Sequence, residues 1–389
     1  WPQFIGCSTG KNQPERILNA VSKLMPDSLV ISNSMQSGNP DTLEAIKRKN
    51  IRLDGYKKVQ LEIQKRGLRS MADVILGLPL ETKETHFAAV MNLIDSGVQE
   101  FTSYQAMMLK STDLELEDVR RRYGMKTKWR LLPRAIGNYD VGGVKRIIAE
   151  IEEITVQTDT LSFKDYLDSR CLHFTTMIYH NSGVFNVVHR YLEEHDIPVS
   201  SFILRIFNKM ENDDNPLRPV YQNFIKETVD ELFDSEQEAL DFYSNLDNYH
   251  KVQRAEVGAN LLWKNLALTF FSCWQQAVQV CVETLGELVP LGQTEAVQLK
   301  QFLLARIANV SDDRIVKEIS LDIGSERLSR YLTGSSDSDG RVSLKVSLND
   351  HKHETLSHAK TCYPNDPNGW SLILSVHRVH TVMREVAYG

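Results

Sequence analysis

The sequence predicts an α/β fold over its first 110 residues, then a mostly helical region and a small α+β tail. Three observations carry this. Short apolar, strand-like runs at residues 1–9, 27–34, 72–76 and 99–109 alternate with stretches whose apolar residues recur at helical spacing. Turn and cap residues punctuate each change of period: Asn39-Pro40, Gly67, Gly77 with Pro79, and Gly97. From residue 199 to 332 the spacing is helical throughout, with acidic breaks at 211–214 and 234–238. The expected domains are an α/β unit over 1–155, a helical domain over 156–332 and the α+β tail over 333–389.

Composition bounds the class. A chain of 389 residues allows two or three domains, and 42% hydrophobic with 25% charged residues describes a globular protein with a real core. A net charge of −6 gives no support to a nucleic-acid surface, and the basic runs at 47–49 and 120–122 sit beside acidic residues. No apolar run is long enough to span a bilayer and no signal-peptide pattern opens the sequence, so the expectation is a cytoplasmic protein without a membrane partner. Five cysteines, Cys7, Cys171, Cys273, Cys281 and Cys362, form no CxxC or CxxxCxxC cluster, which argues against a disulfide framework and a local zinc site.

Along the chain, residues 1–9 read as a strand and Asn12-x-Pro14 as the capped start of a helix carrying Ile17, Leu18, Val21 and Leu24 inward. The next strand, DSLVISNS, runs into the polar turn SMQSGN. Helices follow over 40–46 and 55–66, then the stretch ADVILGLPLET, residues 72–82. Val74 and Ile75 suit a buried strand, Gly77 allows close backbone approach, Pro79 fixes φ, and Thr82 starts a helix with Phe87, Val90, Met91 and Ile94 inward. Right-handed crossovers make such strands parallel and put their C-terminal ends on one rim, where βα units place ligands. That rim gathers Lys11 and Asn12, then Ser34, Gln36 and Ser37, then Gly77, Leu78, Pro79 and Glu81, and last Gln105. Ile75, Leu78 and Pro79 suit an adenine face, the hydroxyl and amide groups a ribose or carboxylate, and Lys11 and Arg48 a carboxylate.

The combination STGKN, NSMQSGNPDTLEAIKRKNI and ADVILGLPLET resembles the radical S-adenosylmethionine (SAM) superfamily, in its branch with a cobalamin-binding domain ahead of the barrel. The segment 132–174 is similar to the extension that follows the barrel there, so the resemblance covers about the first 175 positions. It implies the C-terminal half of a partial (β/α)6 barrel, strands three to six. The turn at Met35–Gln36–Ser37 would hold ribose and the amino-acid end of SAM, the GLPLE turn adenine, and the run 101–108 the adenine edge. The departure is as plain: the CxxxCxxC loop for a four-iron four-sulfur cluster, the glycine-rich element after the second strand and the cobalamin domain have no counterpart. The expectation is therefore a fragment of a cobalamin-dependent radical SAM enzyme. Its parent would catalyse radical methyl transfer or rearrangement on a small-molecule or carrier-bound substrate, with a reductant protein as partner. Cluster and cobalamin ligands would lie outside this sequence.

Beyond Phe174 no chemical motif stands out. Residues 114–124 read as a charged helix and the stretch to 145 as a loop, with Tyr139 and Asp140 either over the barrel mouth or merely on the surface. Residues 150–156 alternate as a strand and 162–192 read as one or two helices. The histidines at 173, 180 and 189, and the group from His351 to His380, lack metal-ligand spacing. Residues 334–340 read as a linker, 341–348 as a strand, 353–363 as a helix and 370–379 as a strand. Two other readings stay open: a non-catalytic binding or scaffold module, and an unrelated parallel-barrel enzyme such as an aldolase-like one, with Lys11 as Schiff-base lysine.

Overall fold

A computed structural model of the chain describes residues 5, 14–25, 28–32, 34–48, 53–310, 312, 315–333, 342–363 and 366–388. The strand expected over 1–9, the Asn12 cap and the linker over 334–340 lie outside these residues. The chain divides into two compact units. One comprises residues 1–130, 152–173 and 233–236; the other comprises 131–151, 174–232 and 237–389.

In the first unit, α1 (Pro14–Val21), β1 (Ile31–Ser32), α2 (Pro40–Ala45), α3 (Leu53–Lys65), β2 (Ser70–Leu76), α4 (Lys83–Asp95), β3 (Glu100–Gln105) and α5 (Glu117–Arg122) follow in order. The sheet order is β1-β2-β3, and both pairings are parallel, from Ile31↔Ser70 on one side and Met71↔Glu100 to Leu76↔Gln105 on the other. The α/β architecture and parallel strands agree with the sequence. Ala72, Val74 and Leu76 are wholly buried, while Met71, Asp73 and Ile75 on the opposite face are only partly covered. The strand is thus not equally buried on both faces, because the Ile75 face borders a cleft. Leu18, Val21, Leu29, Ile31 and Ile63 bring α1, β1 and α3 into one apolar cluster. Thr82 and Thr85 form a reciprocal capping box that starts α4, and Asn39 caps α2 by accepting from the Asp41 amide.

Residues 125–145, expected as loop, instead enter a long antiparallel ribbon of β4 (Lys126–Val141) and β5 (Val144–Gln157). Gly142 and Gly143, with φ of +64° and +83°, form the two-residue turn between them; a turn with both residues left-handed matches the twist of a hairpin. Pro133 is tolerated because a two-stranded ribbon leaves one side of each strand unpaired. The end of β5 returns to the sheet: Met107 pairs antiparallel with Ile154, and the Thr155 amide donates to the Ala106 carbonyl at 2.8 Å.

Helices dominate the second unit. After α6 (Phe163–Thr176) and a π-turn at Met177–Asn181 come α7 (Asn186–Glu194), α8 (Val199–Asn208), α9 (Arg218–Asp230), α10 (Glu236–Ser244), α11 (Leu246–Gln253), α12 (Leu261–Ser272), α13 (Trp274–Leu288) and α14 (Gln293–Arg306). Tyr179, Phe185, Phe270 and Trp274 make an aromatic core with ring centroids 4.9–5.4 Å apart. The tail carries β6 (Glu318–Ile323), α15 (Glu326–Thr333), β7 (Val342–Ser347), α16 (Asp350–Cys362), α17 (Pro367–His377) and β8 (Glu385–Tyr388), its strands in antiparallel order β6-β7-β8. The strand expected over 370–379 is the helix α17. Asp366 caps it by accepting from the Asn368 amide and Trp370 packs edge-on against Phe271; a short apolar run cannot distinguish a buried helix from a strand.

Candidate functional site

At the C-terminal ends of β1, β2 and β3 lies a cleft of about 460 Å³. Its apolar floor includes Ile75, Leu78, Ala106 and Met107, and its polar groups include Gln36, Tyr104 and Gln105. Lys47, Arg48, Asp113 and Arg122 also border it, and Lys47 donates to Asp113 at 2.6 Å.

Each turn is locally determined. After β1 the chain leaves the sheet and touches it again at Gln36, which pairs with Val74; the Gln36 amide donates to the Asp73 carbonyl at 2.8 Å and its carbonyl accepts from Ile75 at 2.8 Å. Gln36 has a φ of +63°, a left-handed conformation that costs a non-glycine residue about 1 kcal/mol and is held here by those bonds. Ser34 donates to the Asp73 carboxylate. After β2, Gly77 has a φ of +87°, and a Cβ there would stand 3.1 Å from the Thr155 carbonyl oxygen, so only glycine fits without movement. Leu80 is left-handed as well, at +61°, and its carbonyl accepts from the Asn39 side chain at 3.1 Å, tying the second turn to the start of α2.

Behind this turn runs a buried polar chain. Glu81 is fully buried; one oxygen accepts the Gly77 amide at 2.9 Å and the other lies 3.0 Å from His86 Nδ1. His86 Nε2 meets His173 Nε2 at 2.7 Å, so one ring donates and the other accepts. Burial, reinforced by neighbouring His86 and Arg170, holds the His173 pKa well below its ordinary value.

A second buried chain reaches the cleft. Glu152 accepts from Arg130 Nε at 2.6 Å, and Arg130 Nη2 donates to the Gln105 carboxamide oxygen at 2.7 Å. Gln105 is 7% exposed, and its Nε2 has no hydrogen-bond partner among the described residues.

Of the residues singled out in the sequence, Gln36, Arg48, Leu78 and Gln105 border this cleft. Ser34 and Ser37 are turned to internal bonds, with Asp73 and with the Asn39 amide. Gly77, Pro79 and Glu81 shape the turn beneath Leu78 without lining the cleft, while Lys11 and Asn12 lie outside the described residues. The run 101–108, read from the sequence as an adenine edge, includes Tyr104 and Met107 on the cleft wall; His173 was set aside for lack of ligand spacing, and His86, Arg130 and Tyr123 were passed over. The one available signal was position: Tyr104 and Met107 flank Gln105 at a strand end.

No protein-family model matches the chain. It is similar to the 2-(S-pantetheinyl)-carbapenam-3-carboxylate methyltransferase of Streptantibioticus cattleyicolor, 27% identical over 212 residues, which are 53% of this chain and 30% of that protein. It is also similar to the cobalamin-dependent radical SAM methyltransferase TokK of Streptomyces tokunonensis, 27% identical over 206 residues, 52% of this chain and 29% of that protein. The match thus spans less than a third of each relative's length. Together these similarities point to the cobalamin-dependent radical SAM methyltransferases.

Proposed function

We propose that this chain holds the adenosine end of SAM in the cleft at the ends of β1–β3, as the nucleoside-binding half of a cobalamin-dependent radical SAM methyltransferase site. In this reading the parallel sheet supplies strands of a (β/α)6 barrel. One observation carries the proposal: an apolar cleft lined by Ile75, Leu78 and Met107 opens at the C-terminal ends of parallel strands, with the polar residues Gln36 and Arg48 on its border. A purine fits between Ile75, Leu78 and Met107, while Gln36 reaches the sugar and Arg48 the carboxylate end.

The residues fit the nucleoside but not an iron-sulfur cluster. Among the described residues no group of three His, Cys, Asp or Glu side chains could hold a metal ion, and Cys171, Cys273, Cys281 and Cys362 are scattered along the chain. The proposal assigns no cluster or cobalamin ligand among the described residues. SAM supplies the methyl donor and radical source of this enzyme class. This chain's own part is to bind and orient its nucleoside and to exclude water with the apolar floor.

The test is calorimetric titration of the chain with S-adenosylhomocysteine. Binding to the wild type and loss of binding in Leu78→Arg support the proposal; Thr112→Trp, at an exposed position on the cleft wall, gives the same result with less demand on folding. Binding that survives both substitutions contradicts it.

A further inference from the structure

The tip of the β4–β5 ribbon holds apolar side chains open to solvent: Tyr139, Val141, Val144 and Ile148 are each about half exposed. Strand alternation and the two-residue turn put all four on one face, with Arg146 between Val144 and Ile148 and Glu150 beyond them. The turn also sets which way the backbone points. Val141 and Val144 close it as a hydrogen-bonded pair, so the amides and carbonyls of Lys145, Ile147 and Ala149 point away from β4. The sheet holds two strands, and no other backbone hydrogen bond among the described residues reaches those three. An open edge with an apolar face is a template for another strand. Charge on an edge ordinarily blocks such pairing, but Arg146 and Glu150 have opposite signs and flank Ile148 at equal distance along β5. Neither has a hydrogen-bond or ion-pair partner among the described residues.

We propose that this edge is the chain's self-association surface: β5 of one copy pairs antiparallel with β5 of a second copy about a two-fold axis at Ile148. That register opposes Arg146 to Glu150 of the second copy, and Glu150 to its Arg146, while Ile148 faces itself. Ile147 and Ala149 exchange backbone hydrogen bonds across the axis. The neighbouring registers fail. Centred on Ile147, both charges face aliphatic side chains; centred on Arg146, that arginine faces itself, which is destabilising. A two-fold contact closes on itself, so assembly ends at the dimer. One strand edge buries less than about 1,200 Å², the class of weak contacts, and the dissociation constant is on the order of 10–100 μM.

The experiment is sedimentation equilibrium of the full chain over a series from about 2 to about 400 μM. Wild type is expected to pass from monomer to dimer and no further. Arg146→Glu and Glu150→Arg each put like charges opposite one another at two places, and should weaken dimerisation by about tenfold or more. Both side chains are exposed, so the fold tolerates either change. Mixed in equal amounts, the two variants should pair again, because each then meets the opposite charge twice. The double variant Arg146→Glu/Glu150→Arg should self-associate like wild type, and Ile148→Lys, on the axis, should stay monomeric. A wild type that is monomeric across the series overturns the proposal. So does association that survives both Arg146→Glu and Ile148→Lys, or a mixture of the single variants that does not pair, since either result removes the contact from this register.

Discussion

Two buried polar chains in the first unit are built from the same kinds of group and end differently. Glu81–His86–His173 joins protein to protein at every link and anchors the Gly77 amide, and none of its three residues lines the cleft. Glu152–Arg130–Gln105 ends on a cleft residue with a donor left over. The first chain holds a strained turn behind the cleft; the second ends on the cleft itself. Buried polar groups are costly in either place, so position at the cleft, rather than polarity or burial, separates the two.

The comparison is most easily broken at Glu81. Glu81→Ala strips the Gly77 amide and His86 of their partner inside the protein, and is expected to cost about 3–5 kcal/mol in urea unfolding. Glu81→Gln, which keeps an acceptor for the Gly77 amide, should cost less. A small loss for Glu81→Ala would show that this chain does not hold the turn. Gln105→Leu is its counterpart: it removes the acceptor of one Arg130 donor but leaves Arg130 paired with Glu152, and should cost about 1–3 kcal/mol, with nucleoside affinity reduced. Next in size, Gly77→Ala must place a side chain at a φ of +87° and 3.1 Å from a carbonyl oxygen, and should destabilise by about 1–3 kcal/mol.

Acid provides a third contrast. Burial holds His173 below its ordinary pKa in the folded state, so the unfolded chain binds a proton more readily. Its stability is intact above pH ~6.5 and falls as the pH drops below that value, by up to about 1.4 kcal/mol per unit, until the folded pKa is reached. His189, half-buried in the second unit and lowered to about 3 by desolvation, adds in the same sense. Urea midpoints between pH 7 and 4.5 should show the decline, and His173→Gln should flatten part of it. An unchanged slope in that variant would count against a buried neutral ring. The smallest effect is expected at the cleft rim: Lys47 and Asp113 are exposed, so Lys47→Ala should leave the unfolding midpoint where it is.

The parallel sheet was legible because short apolar, β-branched runs alternate with capped amphipathic helices, a pattern with few other solutions. The sequence also led to Gln36, Leu78 and Gln105, because strand ends converge in any such sheet. It could not lead to His86 and His173, which are 87 positions apart and meet only through the fold. Arg130 was hidden for a different reason. It lies in a stretch whose Pro133, Gly137 and paired glycines read as loop, while a ribbon accommodates all of them. Glu81 shows the converse limit: a turn carboxylate suggests a ligand contact, and only its two internal bonds show where its oxygens go.

The central claim, that the cleft receives a nucleoside, is tested most directly by methyl NMR of the selectively labelled chain titrated with adenosine. Saturable shifts are expected at the cleft methyls of Ile75, Leu78 and Met107, with Leu93 and Ile94, buried on α4, unmoved. No saturable shift at the cleft methyls, or shifts confined to residues elsewhere, would contradict it.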